Sequence, residues 1–286
     1  MPHHLPQVGA GVDSTPHEKA ASLPHHLSLA ICAGLSYNYL NGFNNEVGFM
    51  QGFLHGTGIV CLYFAVAAST ALSARKLVRI PDEIFRKGLH FILLFSYIPF
   101  AFAFESWWQS VGLTVILALL IYPALALAER LPKFSAFVTE RKHGEFKQSM
   151  LLAFTMLAVC NTVCWGLLGD QYLGLACMYA WGVGDAFAAL VGKRFGKHRI
   201  TWKYADKRKS VEGSAAMFAT SAIAIAAVLL THNHLTLPAY IVLPIAGAAV
   251  STMVELVTRD GRDTVYCPVA AMLVMLPLMA LFGGFA

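Results

Sequence analysis

Charge is what this sequence has least of. Only 13% of its 286 residues are Asp, Glu, Lys or Arg, about half the share in soluble domains, and 57% are hydrophobic. That balance excludes an ordinary soluble enzyme. The six cysteines, Cys32, Cys61, Cys160, Cys164, Cys177 and Cys267, form no Cys-x-x-Cys pair and no Cys/His cluster. A zinc ribbon or thioredoxin-type centre is thereby excluded, and they read as small apolar side chains of membrane helices. No internal repeat recurs at a fixed period, and the one biased tract is the first 25 residues, "MPHHLPQVGAGVDSTPHEKAASLPH". That tract lacks the basic-then-apolar pattern of a signal peptide and reads as a flexible cytoplasmic tail. Its pairs His3/His4 and His25/His26 have no third ligand at a useful spacing for a metal.

What is there is a succession of apolar runs. About 20 such residues cross the hydrocarbon core of a bilayer, and eight runs qualify: 50–72, 88–104, 111–127, 150–168, 173–192, 215–231, 238–257 and 269–285. A ninth, 27–40, is shorter and carries Ser, Asn and Tyr; it either spans or lies at the interface. The expected fold is all-α, a polytopic membrane helix bundle of 8–9 transmembrane helices. Residues 1–25 form the tail and 26–286 a single transmembrane catalytic domain.

Alternating the loops between the two sides sorts the basic residues: with Lys19 in the N-terminal tail, one side holds all 21 if nine helices span and 20 if eight do. One side collects Arg75, Lys76, Arg79, Arg86 and Lys87, then Arg130, Lys133, Arg141, Lys142 and Lys147, then the eight from Lys193 to Lys209, then Arg259 and Arg262. The other side shows Glu46, Glu105, Asp170 and the link "THNHLTLP". Short cytoplasmic loops collect Lys and Arg, so the basic side is read as the cytoplasm.

Within this pattern the stretch "GDAFAALVGKRFGKHRITWKYADKRKSVEGS" stands out. Asp185 lies about two turns, roughly 10 Å, inside the cytoplasmic end of its span, where an ionisable group faces a bundle interior or a wet cavity. Ala188, Ala189 and Gly192 share its helical face, so the bland alternative is a small-residue packing seam. Beyond it, Gly192, Lys193, Arg194, Gly196 and Lys197 end the helix with tight-turning glycines and cations. Ser210 is placed to cap the next helix, whose first amides, flanked by Lys209, form a seat for phosphate. A carboxylate beside such a seat suits a magnesium-bound nucleotide. A polybasic loop drawn to anionic lipid needs neither the aspartate nor the glycines.

These residues resemble the signature of the integral membrane lipid-alcohol kinases: dolichol or polyprenol, phytol and farnesol, and CTP-dependent diacylglycerol kinases. The similarity rests on "GDAFAALVGKRFGKHRI" and "KSVEGSAAMF", on "RKGLH" (Arg86 to His90), on the Gly-Glu loop "ERKHGEFKQSM", and on "VELVTRDGRDTVYCP". Where the family has Asp-Asn, this chain has Asp263 and Thr264, so a hydroxyl, which can still donate and accept a hydrogen bond, replaces an amide.

The resemblance implies phosphoryl transfer from a nucleoside triphosphate, often CTP, to a lipid alcohol, an isoprenoid alcohol or diacylglycerol. The partners are then that nucleotide and that lipid, with Mg2+ as cofactor and no nucleic acid. Asp185 is assigned to magnesium binding or to orienting the attacking hydroxyl, with Glu212 as the alternative for either role. His90 is a general base or a helix-packing residue. Lys193, Arg194, Lys197 and Lys209 neutralise phosphate oxygens, and Arg86 and Lys87 form a second clamp. Backbone amides near Ser210 and Gly213, with the turns at Gly192 and Gly196, complete the cradle, and Glu255 and Asp263 add metal contacts. Two other readings stand beside this one. A CTP-dependent lipid cytidylyltransferase lacks support, because its Pro-Gly-His-Gly-Gly stretch is absent. A transporter or scaffold would place ionisable groups near the midplane, whereas here they gather at one face.

Overall fold

A computed structural model describes residues 25–130, 144–232, 235–259 and 261–282, with side chains described from Gly48 onward. Contacts divide the chain into two units, residues 1–49 and 50–286, and the site lies wholly in the second. The helices are α1 (His25–Leu77), α2 (Asp82–Phe95), α3 (Tyr97–Phe102), α4 (Trp107–Ala128), α5 (Glu145–Cys160), α6 (Gln171–Phe195), α7 (Val211–Leu229), α8 (Ala239–Val257) and α9 (Asp263–Leu281). A π-helical turn, Asn161–Leu167, extends α5. Among the described residues there is no strand, only an isolated bridge between Arg199 and Ser210. Eight helical segments among the described residues are long and apolar enough to cross a membrane, one for each of the eight long apolar runs. The weak run 27–40 falls where α1 side chains lie outside the described residues.

The helices overrun their apolar runs, chiefly at the basic end. The run beginning at 88 becomes a helix from Asp82, with Asp82 and Glu83 in its first turn, where acidic side chains complement the helix dipole. Arg86 and Lys87 therefore sit on a helix and not in a loop. The same span breaks at Ser96, between α2 and α3. Pro99 has no N–H to offer the carbonyl four residues back, and Ser96 Oγ donates to Leu93 O at 2.6 Å.

α6 is the axis of the bundle. Two thirds of its span is buried, against 6% for Gly48–Leu77 and 39% for Ala239–Val257, and it packs against α7, α9, α2, α3 and α5. Helices can touch this closely because small residues face one another. A Cβ on Gly184 would sit 2.2 Å from Ser221 Oγ, the hydroxyl that donates to Ala180 O at 2.6 Å. A helix so enclosed has little lipid-facing surface, so a carboxylate on it is aimed at other helices.

Candidate active site

The cluster at the basic end is built from four helices and one loop. α6 carries Asp185, and α2 brings Lys87, whose Nζ lies 2.6 Å from Asp185 Oδ2. The ammonium side chain is 11% exposed and the carboxylate 19%, an ion pair partly withdrawn from water. α8 contributes Glu255, almost fully buried, whose Oε1 pairs with Lys209 Nζ. α9 begins at Asp263, whose Oδ2 accepts from Trp181 Nε1 at 3.2 Å. Asp185, Glu255, Asp263, Lys87 and Lys209 act on one another electrostatically. His90, one turn along α2 from Lys87, has Nε2 3.0 Å from Gly182 O and stands edge-on to Trp181, ring centres 5.0 Å apart.

Lys209 reaches Glu255 because the connection between α6 and α7 is a folded structure. Ile200 N–H donates to Lys209 O and Val211 N–H to His198 O, so the segment doubles back on itself. Asp206 pins its tip: its N–H donates to Leu256 O at 3.0 Å and its carbonyl accepts from Lys209 N–H at 2.9 Å. Burial works against the Asp206 carboxylate, but backbone and side-chain hydrogen bonds from Arg208 outweigh it and hold its pKa below the usual value. Burial likewise opposes the Lys209 ammonium. Its pairing with Glu255 and the nearby Asp185 and Asp263 raise its pKa above that of an ordinary lysine, so it stays charged.

The other sequence-singled residues go elsewhere. Arg86 bridges Glu83 at 2.7 Å and Glu145 at 3.3 Å, and Lys193 meets Glu83 at 2.6 Å, an ion-pair girdle tying α2, α5 and α6. Arg194 covers the Phe195 ring, and Lys197 is exposed. Glu212 turns to His198, whose Nδ1 is 2.7 Å from its Oε1 and whose N–H also reaches the carboxylate. The start of α7 is closed. Ser210 caps it as expected, accepting from Gly213 N–H at 3.2 Å, while Val211 N–H goes to His198 O. A Cβ on Gly213 would meet Ala188 O at 2.9 Å, and one on Gly196 would meet Gly192 O at 2.2 Å. These glycines let α6 and α7 touch, and the amides expected to cradle phosphate have protein partners.

Among the described residues no group of three or more His, Cys, Asp or Glu side chains forms a ready metal cage. The donor chemistry nevertheless fits magnesium. Asp185, Glu255 and Asp263 offer oxygens only, and Glu255 Oε2 is buried without a hydrogen-bond partner. Magnesium is typically held by one or two carboxylates plus substrate phosphates, which does not demand a closed cage. Thr264, in place of the family's Asn, is buried.

Sequence reasoning missed Trp181, Glu83 and Asp206. Trp181 precedes Asp185 by one helical turn and so shares its face, a spacing visible in the sequence. Glu83 stands three before Arg86, the spacing of a helical ion pair. Asp206 carried no signal, since its role depends on where the loop lands.

No family model matches the chain, and no solved structure matches it. Two curated proteins do. The chain is 30% identical over 154 residues to a "Probable phytol kinase, chloroplastic" of Triticum aestivum, covering 51% of this chain but only 48% of that protein. It is 28% identical over 225 residues to a "Phytol kinase" of a Synechocystis species, covering 76% of this chain and 88% of that one. The chain thus spans about half the length of the wheat relative and most of the cyanobacterial one. Taken with its motifs, these similarities support placing the chain in the membrane lipid-alcohol kinase family.

Proposed function

We propose that the protein phosphorylates a membrane lipid alcohol, taking the phosphoryl group from a nucleoside triphosphate, CTP in the first instance, at the cytoplasmic face. The observation that carries this is the cluster of Lys87, Asp185, Lys209, Glu255 and Asp263, drawn from four helices and a loop to one end of the bundle. Phosphoryl transfer asks the protein mainly for positioning and charge stabilisation, and this cluster supplies both signs of charge side by side. A transporter site would lie nearer the midplane.

In this reading the triphosphate enters from the basic loop side, and Lys87 and Lys209 exchange their carboxylate partners for phosphate oxygens. Asp263 and Glu255 would hold magnesium, which would supply charge neutralisation to the phosphates. Lys87, once turned to phosphate, leaves Asp185 to orient the acceptor hydroxyl and accept its proton. His90, bonded to Gly182 O and packed on Trp181, holds α2 against α6. The space enclosed beneath His90 and Trp181, reaching Tyr97 and Met178, is only about 10 Å³, room for a single water. That cavity cannot take a tail; in this reading the acceptor's hydrocarbon lies along the lipid-facing surface with its hydroxyl at the cluster. Exposed Trp202 and Tyr204, packed edge-to-face, anchor the loop at the headgroup level.

The test is incubation of detergent-purified protein with phytol, farnesol, a longer polyprenol and diacylglycerol, each with γ- or α-labelled CTP, ATP or UTP. Label from the γ position in the lipid phase is expected. Label from the α position alone means cytidylyl or other nucleotidyl transfer, and no label with any pair removes the kinase reading.

A further inference from the structure

The carboxylates of the cluster are not held alike. Asp185 and Glu255 each face a lysine, whereas the hydrogen bond seen at Asp263 comes from the neutral indole N–H of Trp181. Three carboxylates thus share two ammonium groups. A neutral donor orients a carboxylate without itself cancelling the charge. Trp181 itself is 4% exposed, and a buried indole N–H without a partner is costly. Phenylalanine would fill this apolar site without that cost. The same ring stands edge-on to His90 at 5.0 Å, and it lies one turn from Asp185 on the same face of α6. One helix therefore carries both Asp185 and the group that fixes Asp263 and steadies His90.

We infer that Trp181 is a positioning residue of the site, holding Asp263 Oδ2 through its indole N–H so that the other oxygen is presented to the incoming cation and phosphate. The inference rests on the kinase reading above for its chemistry, and on the contacts Trp181 makes to α2 and α9 for its geometry. Partners that orient a metal-binding carboxylate from behind change cation affinity or activity by roughly 10- to 100-fold when removed.

The variant Trp181→Phe keeps the ring and its contact with His90 and deletes the N–H. Its turnover is expected to fall roughly 10- to 100-fold, with a raised Mg2+ requirement and an unchanged KM for the lipid alcohol. In an Asp263→Asn background the same change should do nothing further. A residue that merely packs α6 on α9 would leave the Mg2+ requirement where it was and cause the same loss in both backgrounds, and either result overturns the inference. Binding is read separately by the thermal shift that Mg2+ plus CTP gives the purified protein, where Trp181→Phe should need more Mg2+ for the same shift. If no lipid alcohol is phosphorylated by the wild type, the kinase reading fails while this shift still judges Trp181. Should Trp181→Phe not fold, tryptophan 15N labelling of the wild type replaces it. The indole resonance most displaced by Asp263→Asn must then move on adding Mg2+ plus CTP, and an unmoved resonance overturns the inference.

Discussion

The two ends of the bundle each hold an aspartate on α6 or at its start, and they use it differently. At the end away from the basic loops, Asp170 caps α6: Oδ1 accepts from Tyr172 and Leu173 N–H at 2.9 and 3.1 Å, and Oδ2 lies 3.0 Å from His232 Nε2. Tyr240 OH then donates to His232 O, so this group is tied to backbone on both sides. At the basic end, Asp185 sits inside the helix, where backbone amides are already spent, and it meets a lysine that a phosphate could take over. A carboxylate locked to backbone amides builds the fold. One held by a side chain that can exchange partners is free to do chemistry.

The sharpest way to break this contrast is to neutralise each aspartate in turn. Asp185→Asn is expected to lower phosphoryl transfer per folded molecule by about a hundredfold or more, with insertion kept and a stability loss of up to about 3 kcal/mol, because the Lys87 ammonium, 11% exposed, loses its ion-pair partner. Asp170→Asn should cost stability without touching turnover. Its loss of charge-assisted bonds costs about 1–3 kcal/mol of stability, while the folded fraction retains its turnover. Measuring initial rates per folded molecule beside a thermal melt decides the matter, and an active Asp185→Asn would make that residue a packing group.

A smaller effect separates a specific phosphate ligand from general attraction to lipid. Lys209→Ala should raise the KM for the triphosphate about tenfold. It should also destabilise the protein by about 3 kcal/mol, because Glu255 is left as an uncompensated buried charge. Lys203 lies over the exposed Tyr204 ring, away from the cluster, and Lys203→Ala should leave both quantities alone. A surface-potential role would make the two alike, each contributing about 1 kcal/mol toward anionic membrane. Equal losses that vanish in neutral detergent would therefore remove Lys209 from the site.

The fold was legible because hydrocarbon thickness sets a length that composition reveals directly. Helix ends were not, since beyond the apolar run it is ion pairing, as between Arg86, Glu83 and Lys193, that decides how far the helix continues. Asp185, Lys209, Glu255 and Asp263 could be singled out by being charged near the ends of apolar runs. That Lys87 meets Asp185 across 98 residues depends on the rotation of α2 against α6, which no local pattern encodes. The start of α7 shows a related limit: Ser210 and Gly213 have the spacing of a phosphate seat, but that Val211 N–H donates to His198 O and that Gly192 approaches Gly213 depends on where the loop returns. Glycines that bring a ligand close and glycines that bring a helix close look the same in sequence.

The smallest expected effect concerns the loop that delivers Lys209. Asp206 has a folded pKa below the ordinary carboxylate value, so its contribution to stability is present above that ordinary value and is lost as pH falls through the folded one. Lys209 has the opposite sign. Its raised pKa gives a contribution fully present up to the ordinary lysine value and lost only in strong alkali. Between them the loop should be insensitive to pH through the neutral range and weaken first in acid. Arg208 is largely exposed, which limits the Asp206 term to about 1 kcal/mol or less. Asp206→Asn should accordingly lower neutral stability by up to that amount and flatten the acid limb, the two proteins converging in acid where the Asp206 carboxyl is protonated. Its effect on the triphosphate KM should be a fraction of that of Lys209→Ala, since the Leu256 carbonyl still receives the backbone N–H of residue 206. Stability measured from pH 3 to 8 for both proteins gives the difference curve. A difference that is constant across this range, or that grows toward acid, would mean that Asp206 does not carry the loop through its carboxylate.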